Sequence, residues 1–202
     1  MTTIVQVPDP VLRQTARSVA SLDSRVLNII NYMKKVLITA KNPVGVGLAA
    51  PQIGISLRIF ITRPKPDDIP QVFINPEIIK YSQRRQLPHG KSGTYEGCLS
   101  LPGHYSPITR AMSVTVKYQT LHSITPHPPL TTKARAESEN LRGGAEGEGD
   151  IIEKTSVFSG FPAHIIQHEM DHLNGILFID RVLEQNAKLY KAEGDTWHEV
   201  TI

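Results

Sequence analysis

The feature that most constrains this chain is a run of six residues near its C-terminal end, Gln167-His168-Glu169-Met170-Asp171-His172. On an α-helix, His168 and His172 stand one turn apart and project from the same face, so both imidazoles reach one metal ion. Glu169 sits one step round the helix, close enough to touch a water at that metal without ligating it. Ile165, Ile166 and Leu173 flank the run and place the helix in a core, where unpaired ionisable groups are costly. Such a spacing arises by chance on the order of once in a few hundred chains of this length. The fold must therefore wrap apolar layers around a helix that carries charge.

The rest of the chain supplies those layers. Val26, Ile29, Ile30, Met33, Val36 and Leu37 recur at three- and four-residue steps, which predicts an amphipathic helix over 24–40, stopped by Pro43 and Gly45. Leu57 to Ile61 reads as a short strand, as does Gln71 to Ile74 before Asn75-Pro76. Ser113 to Tyr118 alternates with period two. Ser159-Gly160-Phe161-Pro162 reads as a helix start capped by Ser, and Asn174-Gly175 as its end. Ile176 to Ile179 is expected as a strand and Leu183 to Ala192 as a final short helix. The expected class is α+β, with mixed, mostly antiparallel strands around a long buried C-terminal helix that carries the metal motif.

A length of 202 residues favours a single domain over 1–202. Residues 122–150 are Pro-rich, then Gly- and acid-rich, with little to bury, and read as a surface insertion. One cysteine excludes an intramolecular disulfide and favours a reducing setting. The N-terminal residues carry no secretory or transit pattern, so the expected location is cytoplasmic, or organellar if a transit peptide has been removed. The longest apolar stretch, Val44 to Ala50, is far too short to span a bilayer, and no membrane association is expected. Twenty-two Lys and Arg against 19 Asp and Glu give a formal +3, too mild to imply nucleic acid, and no direct DNA binding is expected.

A catalytic metal usually takes a third protein ligand and keeps a fourth position open. Cys98 is the candidate, in Tyr95-Glu96-Gly97-Cys98-Leu99-Ser100. Alone it reads more readily as a buried apolar cysteine, but Gly97 permits close backbone approach and the surrounding residues are not those of an ordinary core strand. A third segment, Gly45-Val46-Gly47-Leu48-Ala49-Ala50-Pro51-Gln52, offers small residues to an approaching backbone and an amide donor at Gln52. By itself it is a Gly-rich turn.

Together the three segments closely resemble the peptide deformylases, which carry Gly-x-Gly-Leu-Ala-Ala-x-Gln, Glu-Gly-Cys-x-Ser and His-Glu-x-Asp-His in this order. The resemblance extends to Pro8-Asp9-Pro10-Val11-Leu12-Arg13 and to Phe73-Ile74-Asn75-Pro76, leaving aside 122–150 and the last two dozen residues. It implies that Cys98, His168 and His172 hold one divalent metal, natively Fe(II), which zinc, nickel or cobalt can replace. It implies an N-formylmethionyl peptide substrate cleaved to formate and a free N-terminal methionine. Glu169 would move the proton, and the Gln52 amide with the Leu99 N–H would stabilise the carbonyl oxygen as it gains charge.

The resemblance further implies an extended peptide along Gly45, Val46 and Gly47, and a methionine pocket near Phe161, His164 and Ile165. His164 is read as pocket rim and not as a fourth ligand, because a catalytic metal keeps an open site. Arg110 would pair with Asp171 behind the metal. Tyr105 stands where some members carry Arg and joins the substrate-binding candidates. The expected partners are the peptide and, transiently, the ribosome, with the protein acting as a monomer.

Two other readings compete. A zinc metallopeptidase of the His-Glu-x-x-His type would take a carboxylate or histidine downstream as third ligand, and nothing after His172 is as well placed as Cys98. An inactive ribosome-associated binding module would have no need of Glu169, Gln52 and Cys98 together.

Overall fold

The computed structural model describes residues 4–41, 44–86, 95–121, 151–194 and 196–201. The first helix, α1 (Ser24–Thr39), opens with the Asp23 side chain accepting the Val26 N–H at 2.9 Å, and buries Val26, Ile30, Met33, Val36 and Leu37 along one stripe. Strands β1 (Gly47–Ala49), β2 (Ile59–Thr62) and β3 (Gln71–Tyr81) follow. With β8 (Ser113–Leu121) and β9 (Ile151–Ser159) they form a five-stranded antiparallel sheet in the order β1-β2-β3-β8-β9.

All four residues of β2 are buried because both faces of the sheet are covered there. Ile59 and Ile61 join the cluster under α1. Phe60 points the other way and stacks on Phe73 at 4.5 Å, in the cluster under α2 (Phe161–Leu173). Every residue of α2 from Ala163 to Leu173 is buried. Its polar side chains are tied to neighbours. The Gln167 amide accepts from the Ala111 N–H and donates to the Ala111 carbonyl, both at 3.0 Å, holding the helix to strand β7 (Arg110–Ala111). Strand β7 pairs with β4 (Arg85–Gln86).

A second sheet, β11-β10-β6-β5, is built from β5 (Glu96–Cys98), β6 (Leu101–Ser106), β10 (Leu189–Glu193) and β11 (Thr196–Val200). A short helix, α3 (Phe178–Glu184), precedes β10. No described helix is long and apolar enough to cross a membrane.

The structure corrects four local expectations. β3 runs on through Asn75-Pro76, because Asn75, at φ 49°, spends its side chain on the Val19 N–H and carbonyl instead of making a turn, and the register shifts there. The residue that opens α2 is Gly160, at φ 65°, a conformation Ser159 would resist, and no side chain caps it. Residues 176–179 are not a strand: α3 starts at Phe178, with Phe178 and Val182 buried one turn apart. The final helix expected over 183–192 is also absent, since Asn186, at φ 47°, ends that path and β10 follows. The expected insertion at 122–150 lies outside the described residues. It joins strands paired to their ends, with Leu121 opposite Ile151.

Candidate active site

Strand β5 delivers Cys98 to the buried face of α2, and the turn at Leu99-Ser100 carries the chain into β6. The Cys98 sulfur and one ring nitrogen from each of His168 and His172 lie within 4.8 Å of one another, all three residues being buried. His172 Nε2 is 3.2 Å from Sγ. His168 Nδ1 lies 2.7 Å from Glu96 Oε1, so the tautomer protonated at Nδ1 donates to that carboxylate and leaves Nε2 available to a metal.

Glu96 is the residue that reading the sequence missed. It is 4% exposed and accepts Arg110 Nε and Nη2 at 2.6 and 2.7 Å as well as His168. His164 Nε2 lies 2.7 Å from its other oxygen, off the hydrogen-bonding line. Arg110 then donates Nη1 to Asp171 at 2.9 Å, and Arg181, also unforeseen, donates to Asp171 and to Glu184. Burial alone would raise the Glu96 pKa, but Arg110 and His168 outweigh it and hold the carboxyl well below its usual range. The signal available in the sequence was an acidic residue two positions before the cysteine, within Glu96-Gly97-Cys98.

The three converging residues shift one another's protonation. Burial opposes a charge on Cys98, yet the His172 and His168 imidazoles overcome it and bring the thiol down to about 5. Glu169 is 2% exposed. Burial is the largest influence on it, only partly offset by the two imidazoles, and its carboxyl is pushed up to about 7. Its Oε2 is buried with no hydrogen-bond partner among the described residues, and its Oε1 lies against Gly47, where a Cβ would come within 2.2 Å. A thiolate, two imidazoles and an unpaired carboxylate beside them fit a divalent metal with a soft-to-borderline preference.

Gln52 sits on the turn after β1. Its Oε1 accepts the Ala49 N–H at 2.9 Å, which fixes the amide so that Nε2 faces Ser100 Oγ at 3.3 Å and Cys98 Sγ at 3.7 Å. Above these groups opens a cleft of about 200 Å³. Gln52, Leu99, His168 and Glu169 face it, as do Val46, Gly47, Tyr105, Phe161, His164 and Ile165. Gly45 stands just outside, in a tight approach to α1 where a Cβ would meet the Leu37 carbonyl at 2.6 Å. Arg110 and Asp171 line a separate hollow, with Gln167 and Arg181.

Strand β1 is an edge of its sheet. The Arg63 N–H donates to the Val46 carbonyl at 2.7 Å, and bonded and unbonded pairs alternate along antiparallel strands. Val46 and Leu48 therefore turn their backbone groups toward β2, and Gly47 turns its own outward, toward the cleft.

Comparison with known proteins agrees with this geometry. The sequence model of the polypeptide deformylase family matches residues 1–127 and 148–188. A peptide deformylase of Dehalococcoides mccartyi is 35% identical over 192 residues, 95% of this chain and 92% of the relative. The crystal structure of peptide deformylase from Thermotoga maritima superposes with a TM-score of 0.65 at 33% identity, covering 90% of this chain and 97% of that one. A peptide deformylase from Synechococcus elongatus, in complex with actinonin, gives 0.67 at 33% identity over 92% and 82% of the two chains. A match along most of the sequence joins the same fold to three ordered motifs that meet around one cleft, and the chain belongs to the peptide deformylase family.

Proposed function

We propose that this protein removes the formyl group from N-formylmethionyl peptides, with Cys98, His168 and His172 holding the metal on which the family depends. The observation that carries the reading is the convergence of those three ligand atoms within 4.8 Å beneath a cleft that Glu169 and Gln52 both face. The metal supplies Lewis acidity and a nucleophilic water at neutral pH. A thiolate with two imidazoles suits Fe(II), the ion we assign natively, and also zinc, nickel and cobalt.

The chain's own groups do the rest. Glu169, with its carboxyl near neutrality, takes a proton from the attacking water and returns it to the departing amine. The Gln52 Nε2, aimed by the Ala49 N–H, donates to the formyl oxygen as it gains charge, together with the Leu99 N–H. The outward-facing N–H and carbonyl of Gly47 pair with the peptide backbone as an added strand alongside Gly45 and Val46. Phe161, Ile165 and the His164 ring receive the methionine side chain, and Tyr105 lines the cleft beyond that pocket, along the rest of the peptide. One chain supplies every group, so the working unit is a monomer that meets its nascent substrates transiently at the ribosome, in the cytoplasm.

The test is anaerobic purification with metal analysis, followed by formate release from formyl-Met-Ala-Ser. One metal per chain, formate release and no internal cleavage of an unblocked peptide are expected. Stoichiometric metal in Cys98→Ala would overturn the ligand assignment. Internal peptide cleavage without formate would favour a metallopeptidase.

A further inference from the structure

An aromatic surface runs outward from one wall of the cleft. Trp197 lies on Tyr105 with ring centroids 4.7 Å apart and 15° between planes. Tyr95 meets Trp197 edge-on at 5.2 Å and Tyr190 at 5.7 Å. The register explains the gathering. Gly97 pairs with Tyr105, Tyr105 with Tyr190 and Tyr190 with Glu199, so these positions share one face of the four-stranded sheet. Trp197, two residues from Glu199, shares it too. Gly97 leaves room for the neighbouring ring: a Cβ there would come within 2.7 Å of Tyr105 Cε1.

Trp197 remains 45% exposed and Tyr95 37%. Large rings held in place yet left in water are the composition of a recognition surface. Tyr95 and Tyr105 line the same cleft as Gly47 and Val46. The family's sequence model ends its match at residue 188, ahead of the hairpin that supplies Tyr190 and Trp197.

We infer that the C-terminal hairpin β10–β11 is a specificity element of the substrate site. Trp197 is a positioning residue that holds Tyr105 and Tyr95 as an aromatic wall for an apolar or aromatic side chain in the peptide segment after the methionine. The inference rests on the deformylase reading. A peptide extended along the outward edge of Gly47 advances about 3.3 Å per residue, so the residues after the methionine leave the floor and travel along this wall. Ring-on-ring contact of the kind available there changes affinity by about three- to ten-fold.

Trp197 is the chain's one tryptophan, so its fluorescence reports directly on the wall. The experiment uses the metal-loaded full chain with formyl-Met-Ala-Ser and formyl-Met-Ala-Phe, and titrates the product peptide Met-Ala-Phe against tryptophan emission. The wild type should favour the Phe peptide by about three- to ten-fold in KM and show a saturable emission change with Met-Ala-Phe. Trp197→Ala should erase that preference through KM, with less than a two-fold change for formyl-Met-Ala-Ser, and Trp197→Phe should restore it. Formate release from both peptides with equal KM and silent emission would overturn the inference and leave the deformylase reading standing. A parallel fall in kcat for both peptides in Trp197→Ala, unrescued by Phe, would show a structural role and overturn it as well. An emission change that follows protein concentration instead of peptide would mark a self-association face, again overturning it. No formate from either peptide would remove the deformylase reading and this inference together.

Discussion

Oε1 of Glu169 occupies the space that a side chain at Gly47 would need, 2.2 Å from where a Cβ would stand. In the proposed reaction Gly47 serves two ends: its bare backbone faces the incoming peptide, and its missing side chain leaves room for the Glu169 carboxylate that moves the proton. Ile165 Cγ2, at 2.8 Å from the same point, closes the other way out. Gly47→Ala should keep the metal and lower kcat on the order of 100-fold by displacing Glu169. Metal analysis beside formate release checks this, and full activity would show that Glu169 tolerates the shift.

Gln52→Leu should act on a different quantity. On the proposed mechanism it removes one donor to the developing oxyanion and leaves Cys98, His168 and His172 in place, so the expected loss is about 2 to 4 kcal/mol of transition-state stabilisation at constant metal content. Turnover on formyl-Met-Ala-Ser measures it.

Glu96→Gln should separate metal affinity from chemistry. The amide no longer matches the Nδ1 proton of His168 or the forked donors of Arg110, so affinity should fall about 10- to 100-fold in competition with a chelator. Stability should fall by about 3 kcal/mol, because Arg110 keeps only Asp171 as a charged partner.

Asp180 carries a pH prediction distant from the metal. Burial would raise its pKa, but hydrogen bonds from Arg13 and the Leu177 N–H outweigh that and lower it. A lowered folded-state pKa contributes stability above the unfolded value near 4, and that stability is lost as pH falls through the folded value. The pair is half open to solvent at Arg13, so the contribution is no more than about 0.5 kcal/mol. Denaturation of Asp180→Asn against wild type should show a gap at pH 7 that closes below about pH 4.

The stretch over 122–150 gives the last prediction. We take it as a tolerated surface insertion, because Leu121 and Ile151 face each other on paired strands and loop closure costs rise only logarithmically with length. Replacing it with a short Gly-containing turn should leave turnover and metal content near wild type. Weakened ribosome co-sedimentation with unchanged turnover would reveal a docking role for the segment.

What the sequence disclosed and what it withheld follow from distance along the chain. His168 and His172 are four apart, so one helix period announces them. The alternation in β8 and the stripe in α1 are legible for the same reason. Glu96 and His168 are 72 positions apart, and nothing local marks their contact. Arg181 reaches Asp171 only because the chain turns at Gly175, φ 71°, and starts α3 where a strand was expected. The hairpin that brings Trp197 to Tyr105 was hidden by helix-forming residues around 183–188, whose continuation Asn186 interrupts. Local periodicity thus finds elements and ligand pairs, whereas partners that neutralise a buried charge depend on the assembled fold.

Through Glu96 and Arg110, the strand bearing Cys98, the strand bearing Arg110 and the helix bearing Asp171 are wired to one another. These segments are therefore not interchangeable parts. A chimera that took the cysteine strand from a relative lacking that carboxylate would strand Arg110 and free the His168 ring at once, however faithfully Cys98, His168 and His172 were copied.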